Sequence, residues 1–403
     1  MQDSLQKNYK VVLPLLFVHV TIERLSVPTA DRPFEIVERK GKGHPDTICD
    51  AVAEEVSVLL SRYYLEHFGR ILHHNVDKVT LIAGKSAPSF GGGVVLDPMR
   101  IIIVGRATTE VEGNKIPIHS IVAEAVHNVF SEFHAVEEGH YTYENAIGEG
   151  SIDLKSIVEA EGAPLANDTS VGVGHAPRTP TERIVLGIEE FLNAPEYKET
   201  HPEVGEDVKV MGVRVGNTLR ITVAAAFVGK YVQSIDEYVE KKAEVLEDIS
   251  KFVEKHWDGE FTVAINAADS FDTGSIYITV TGLSAENGDD GAVGRGNRQS
   301  GFIPATKPVS LEAVAGKNPT SHVGKIYNVV ADLVAEDLVA EGAEEAHVFI
   351  VSKIGSPITS PQFVGVRIVG ELPATTVEKI VSDRLEEIPE MIRGFVERKY
   401  RLF

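Results

Sequence analysis

The run Glu38-Arg39-Lys40-Gly41-Lys42-Gly43-His44-Pro45-Asp46 decides how the chain reads. Gly41 and Gly43 carry no Cβ, so the backbone here can approach a ligand closely. The segment leads directly into a helix. From Asp46 to His67, Ile48, Val52, Val56, Leu59, Leu60 and Tyr63 fall at helical spacing, and Gly69 supplies the stop. A helix N-terminus reached through such a loop favours anions. Pro45 biases His44 toward an extended backbone, which lets His44 and Asp46 point to one side. An imidazole there can bond a phosphate oxygen, and a carboxylate can hold the Mg²⁺ that accompanies it. The plainer reading makes Asp46 a helix cap and leaves the lysines solvated.

The chain around this run has 403 residues, 43% of them apolar, enough for roughly two to three folded domains. Its 39 basic and 60 acidic residues give a net charge of −21, which opposes general binding to nucleic acid or anionic membranes. A polyphosphate site would have to concentrate cations against that background. One cysteine, Cys49, excludes an intramolecular disulfide framework or a Cys-rich metal site and fits a reducing compartment. The apolar opening, Val11 to Ile22, is interrupted by Pro14 and His19 and alternates like a strand. It reads as a strand behind a short flexible leader, residues 1–10, and a cytoplasmic protein is expected.

Outward from the opening run, strand-like and helix-like segments alternate. Strands are predicted over 79–83, 99–104, 261–267, 275–281, 347–354 and 363–369, and a hairpin over 208–228 turning at Gly216-Asn217. Helices are predicted over 119–133, 234–256, 322–340 and 377–398, the last interrupted at Pro389. Pro88 to Gly93 reads as a turn-rich loop. Ser284 to Pro304 has glycines at 288, 291, 294, 296 and 301 and almost no core material. Loops this long in compact domains usually carry function.

Further chemistry-bearing clusters follow. Asn167-Asp168-Thr169-Ser170 joins polar groups to the glycines at 172 and 174, which by itself is an ordinary Asx-turn. Asp207 and Lys209 would project from one face of a strand, suiting a ribose hydroxyl and a phosphate, or simply an exposed ion pair. Gly148-Glu149-Gly150-Ser151 is glycine-rich but weak evidence. Residues 284–326 hold five basic and four acidic side chains, a local excess of positive charge inside an acidic chain. An EF-hand count from Glu286 fails, because its twelfth position is Asn297 rather than Glu. No Walker A loop is present.

Taken together, these segments closely resemble the archaeal type of S-adenosylmethionine synthetase (methionine adenosyltransferase). The resemblance rests on the opening run, on Phe90-Gly91-Gly92-Gly93, and on Leu165-Ala166-Asn167-Asp168-Thr169-Ser170. It continues through Gly205-Glu206-Asp207-Val208-Lys209-Val210-Met211-Gly212, residues 281–298, and residues 315–327, covering about residue 17 to the C-terminus. It implies an α+β fold of three pseudo-threefold-related subdomains of mixed sheet with helices, interleaved in sequence. The expected division is 11–41 with 179–284, 42–152 with 285–325, and 153–178 with 326–403. It also implies active sites at a homodimer interface, with ATP, L-methionine and water giving S-adenosylmethionine, phosphate and diphosphate, with Mg²⁺ and often K⁺.

The same resemblance distributes roles. His44, Lys209, Arg295 and Lys317 are expected on the triphosphate as catalytic residues, Asp46 on Mg²⁺, Asp207 on the ribose, and Asp168 and Asp289 on methionine. Gly148, Glu149, Gly150 and Ser151 are expected near the nucleotide. Against the bacterial branch two lysines are lost, one replaced by Ser321 and one, after Arg295, by Gly296. Arg298, His322 and Lys325 are the expected substitutes. Two rival readings use the same cations differently: a Mg²⁺-dependent polyphosphate or nucleotide hydrolase, and a non-catalytic homologue.

Overall fold

The structure is a computed structural model that describes residues 20–151 and 164–403. The predicted leader and the first residues of the predicted opening strand lie outside these. The fold is α+β, three mixed sheets each backed by helices over its own apolar core.

The first sheet contains β2 (Phe34–Lys40), β11 (Val204–Val215), β12 (Thr218–Val228) and β13 (Glu260–Ile265), edged by the short β16 (Ile303–Pro304). The very short β14 (Ile278–Thr279) pairs with β12. Its helices are α3 (Pro180–Leu192), α4 (Pro195–Thr200) and α5 (Ile235–His256). The second sheet runs in the order β15 (Gly291–Ala292), β3 (His74–Ile82), β6 (Met99–Ala107), β9 (Tyr141–Glu149), with α1 (Pro45–Phe68) and α2 (Ile118–Phe130). The third joins β1 (Val20–Leu25), β18 (Phe363–Val369), β17 (Glu345–Val351) and β10 (Val171–Ala176) with α6 (Val323–Ala340), α7 (Ala374–Glu386) and α8 (Ile388–Val396).

Local chemistry accounts for these elements. In β3, Val79 and Leu81 are buried while Lys78 and Thr80 are exposed, the period of a one-sided strand. Helix α1 is buried on most of its circumference, with Asp46, Asp50, Glu54 and Glu55 buried among its apolar residues, and ends at Gly69 in the left-handed region, φ 70°. The β11–β12 hairpin turns at Gly216, φ 57°.

Several predicted elements differ. Pro88 to Gly93 is no open loop but belongs to a hairpin of β4 (Lys85–Ser89) and β5 (Gly92–Asp97), held by Gly93 at φ 129°. Of the predicted strand 275–281 only β14 forms. The C-terminal helix breaks at Glu387, and Pro389 sits in the first turn of α8, where its missing N–H costs nothing. Residues 11–41 do not stay together: β1 pairs with β18 in the third sheet, whereas β2 lies in the first. Ile303–Pro304 joins the first sheet through β2 rather than the second.

Candidate functional site

A cleft of about 570 Å³ opens between the first and second sheets. Its floor is the passage from β2 into α1. There the Gly41 N–H donates to the Val208 carbonyl (2.8 Å) and the Gly43 N–H to the Glu206 carbonyl (3.1 Å), laying the loop along the start of β11. A Cβ on Gly43 would stand 2.5 Å from the Glu206 carbonyl carbon, so that close approach is open to glycine alone. β15 closes the other side, Gly291 packing on Pro45 too tightly to admit a Cβ.

His44 caps α1. Its Nδ1 accepts from the Asp46 N–H at 3.2 Å. Burial, reinforced by Lys40, pulls its pKa down to about 4. The ring is therefore neutral at pH 7, and since Nδ1 accepts, the proton sits on Nε2 as a donor. The Asp46 carboxylate accepts from the Ala292 N–H (2.9 Å) and the Lys40 ammonium (2.8 Å). Burial alone would raise its pKa, but Lys40 and the Ala292 N–H hold it below the usual carboxylate range. Lys40 also donates to the Arg295 carbonyl at 3.1 Å.

On the facing wall, buried Asp207 accepts from the Ser284 N–H at 2.9 Å and from the Ser284 hydroxyl, which also lies 3.0 Å from Asp289. Burial pushes the Asp207 pKa up to about 7. Lys209, two residues on, is paired with Glu38 at 3.0 Å and lies directly across the ladder from Lys40. Among the lining groups, the cations Lys40, Lys209 and Arg295 meet the carboxylates of Asp46, Asp207, Asp289 and Asp290. The local excess of positive charge expected from the sequence is not reached in one chain's cleft.

Six sequence-predicted residues thus meet here: His44, Asp46, Asp207, Lys209, Asp289 and Arg295. Lys317 does not line the cleft. It is buried against Asp77 and Glu312, and Asp77, Glu312 and His322 bring ligand atoms within 4.8 Å of one another, a group able to hold a cation. Asp168 is exposed, two residues before Ser170, whose hydroxyl is 3.3 Å from Glu312. The charges that bear on His44 are Lys40, Asp46, Asp289 and Lys209; those on His322 are Lys317, Asp77, Lys325 and Lys78. The two neighbourhoods share no member.

Other expected ligands have internal duties. Lys325 is fully buried on Glu54, 2.7 and 2.8 Å from its two oxygens. Arg298 donates to the Gly294 and Gly296 carbonyls and holds that loop. Gly148 to Ser151 lie at the end of β9, where Gly150 bonds the Ala107 carbonyl and Glu149 accepts from the Thr109 N–H at 3.1 Å, outside the cleft lining. Sequence reasoning missed Lys40, Tyr277, Ser284 and Asp290 as lining groups. Lys40 was in view, but its place opposite Lys209 depends on a strand register no spacing reveals.

The family model of S-adenosylmethionine synthetase (AdoMet synthetase) matches residues 18–399. A probable S-adenosylmethionine synthase of Aquifex aeolicus is 47% identical over 385 residues, covering 93% of this chain and 96% of its own. The S-adenosylmethionine synthases of Hyperthermus butylicus and Methanothermobacter thermautotrophicus are 46% and 45% identical, each covering 96% of this chain and 99% and 100% of their own. An unusual S-adenosylmethionine synthetase from Campylobacter jejuni superposes with a TM-score of 0.60 over 92% of this chain and 94% of its own, at 16% identity, a likeness of fold.

Proposed function

The chain belongs to the S-adenosylmethionine synthetase family, and on that footing we propose that the cleft between the first two sheets is where it joins ATP to L-methionine. It is an adenosyl-transferring enzyme, forming S-adenosylmethionine with release of phosphate and diphosphate. The observation that carries the assignment of the site is the meeting of His44, Lys209 and Arg295 beside Asp46 in one cleft of a strongly acidic chain.

The methionine sulfur is a soft nucleophile that needs no activating base. A sulfur–C5′ bond forms as the C5′–O bond breaks, and the electron pair leaves with the triphosphate. Positive charge grows on sulfur and negative charge on the leaving group, so catalysis is alignment plus charge stabilisation at both ends. In this reading His44 donates through Nε2–H, Lys209 and Arg295 pair with the polyphosphate, Asp207 accepts a ribose hydroxyl, and Asp289 faces the sulfonium and ammonium end. Water then cleaves the triphosphate in place.

Family members use metal ions. The Asp46 carboxylate in the cleft lining is an oxygen donor of the kind a hard cation such as Mg²⁺ takes. Asp46 would hold it, and bound there it would neutralise polyphosphate oxygens. K⁺ belongs to the same reading and is tested by replacing it with tetramethylammonium.

The shortage of positive charge in one cleft favours a site completed from elsewhere. Three cations against four carboxylates fall short of a polyphosphate's needs, and Lys317 and His322 stand in a second neighbourhood. We assign the two groups to facing halves of a site in a homodimer, the second supplying Lys317 to the triphosphate and Asp168 to methionine. No described helix is long and apolar enough to cross a membrane. A cytoplasmic location is proposed because both substrates are made and used there.

Incubation of the purified protein with ATP, methionine and Mg²⁺ tests the function. S-adenosylmethionine by mass, with one phosphate and one diphosphate per turnover, is expected. Methionine-independent release of phosphate would select the hydrolase, and no turnover the non-catalytic homologue.

A further inference from the structure

Lys40 is the one cation touching Asp46 among the described residues, and nothing in the reaction above employs it. Its main chain is clamped. The Lys40 N–H donates to Asn297 Oδ1 (3.0 Å), and its carbonyl accepts from Asn297 Nδ2 (2.8 Å) and the Thr47 hydroxyl (3.2 Å). Only side-chain torsions therefore decide where the ammonium goes.

That ammonium makes two bonds, to Asp46 Oδ2 and the Arg295 carbonyl, out of three available N–H groups. The other Asp46 oxygen is committed to the Ala292 N–H. A divalent cation taking Asp46 must therefore share the carboxylate with Lys40 or displace it from Oδ2, and two positive charges at that spacing repel strongly in a mostly buried site. The direct cross-strand neighbour of Lys40 is Lys209, so a displaced ammonium meets a second positive charge. A polyanion between the two removes both repulsions at once.

We infer that Lys40 is an exchangeable counter-ion: it neutralises Asp46 in the free enzyme and passes its ammonium to the polyphosphate when a divalent cation occupies Asp46. This rests on the assignment of the cleft to ATP and of Asp46 to the metal. The consequence is coupling. Metal alone binds weakly because it must evict Lys40, and metal with polyphosphate binds well because the evicted lysine acquires a new partner.

The test uses full-length protein, Mn²⁺ as the metal probe and inorganic tripolyphosphate as the polyanion. Free Mn²⁺ is measured by electron paramagnetic resonance, and tripolyphosphate binding at saturating Mg²⁺ by calorimetry. In Lys40→Met and Lys40→Gln, Mn²⁺ affinity without polyphosphate is expected to rise at least tenfold, while tripolyphosphate affinity falls at least tenfold. Mn²⁺ binding that is unchanged or weaker, or tripolyphosphate binding that is unchanged, overturns the inference. Should neither variant fold, acetylation of the wild-type lysines read by mass spectrometry decides the matter. Lys40 should become at least threefold more reactive with Mn²⁺ alone and protected again with tripolyphosphate, and constant reactivity overturns the proposal. Asp46→Asn separates the layers: if it binds Mn²⁺ like wild type, the metal assignment itself fails, and absence of S-adenosylmethionine in the wild-type assay removes the functional reading beneath both.

Discussion

Lys40 and Lys209 are direct cross-strand partners on β2 and β11, two ammonium-bearing side chains on one face of one ladder. Like charges so placed weaken a sheet, and here Asp46 and Glu38 offset them at 2.8 and 3.0 Å. An arrangement that costs stability without a ligand and gains it with an anion is preorganised electrostatics. Tripolyphosphate with Mg²⁺ should therefore raise the melting temperature of the wild type. In Lys209→Met that rise should shrink by at least half while the ligand-free melting temperature stays level or climbs. An undiminished rise would mean Lys209 does not face the anion.

Asp207 gives the site a pH signature. Its folded pKa, raised by burial to about 7, lies above the ordinary value of 3.8. Between these values the folded chain binds more protons than the unfolded one, so its contribution to stability falls as pH climbs toward 7 and levels off above. Asp207→Asn removes the titration. The stability of the variant relative to wild type should improve by up to ~3 kcal/mol from about pH 5 to about pH 8. Denaturant unfolding at the two pH values measures it, and a pH-independent difference would show that Asp207 ionises freely.

Lys325 and Glu54 form a buried pair, with Glu54 also accepting from the Gly316 N–H at 2.9 Å. Lys325→Met leaves a carboxylate without its cation and should cost about 3–5 kcal/mol. The double change Lys325→Met with Glu54→Gln should recover more than half of that. In the double variant the KM for ATP should match wild type, because this lysine supports the fold; a raised KM with a normal fold would return it to the nucleotide.

Much of this was legible in the sequence, for identifiable reasons. Gly41, Gly43 and the helix beyond them are local features, written in spacing and backbone freedom, and they form as read. The pairing of β1 with β18 and the splitting of β1 from β2 were not legible, because β1 depends on a partner more than 300 residues away and β2 on partners more than 160 residues away. Lys317 and Lys325 looked alike as cations in one glycine-rich stretch. Their separation from the cleft follows from acidic partners, Asp77 and Glu54, which lie far off in sequence and only register and packing bring near. Helix α3 carried an unread signal, since Thr179 and Glu182 form a reciprocal capping box at its start.

In the proposed reaction a neutral imidazole at the head of α1 and the cations around it hold the triphosphate while sulfur displaces it. His44→Asn probes this most directly, because asparagine preserves an acceptor for the Asp46 N–H yet withdraws the Nε2–H donor. Single-turnover formation of S-adenosylmethionine from ATP, methionine and Mg²⁺ should fall at least ~10²-fold in the variant with the melting temperature within a few degrees of wild type. A near-normal rate in a folded His44→Asn protein would remove this imidazole from the mechanism.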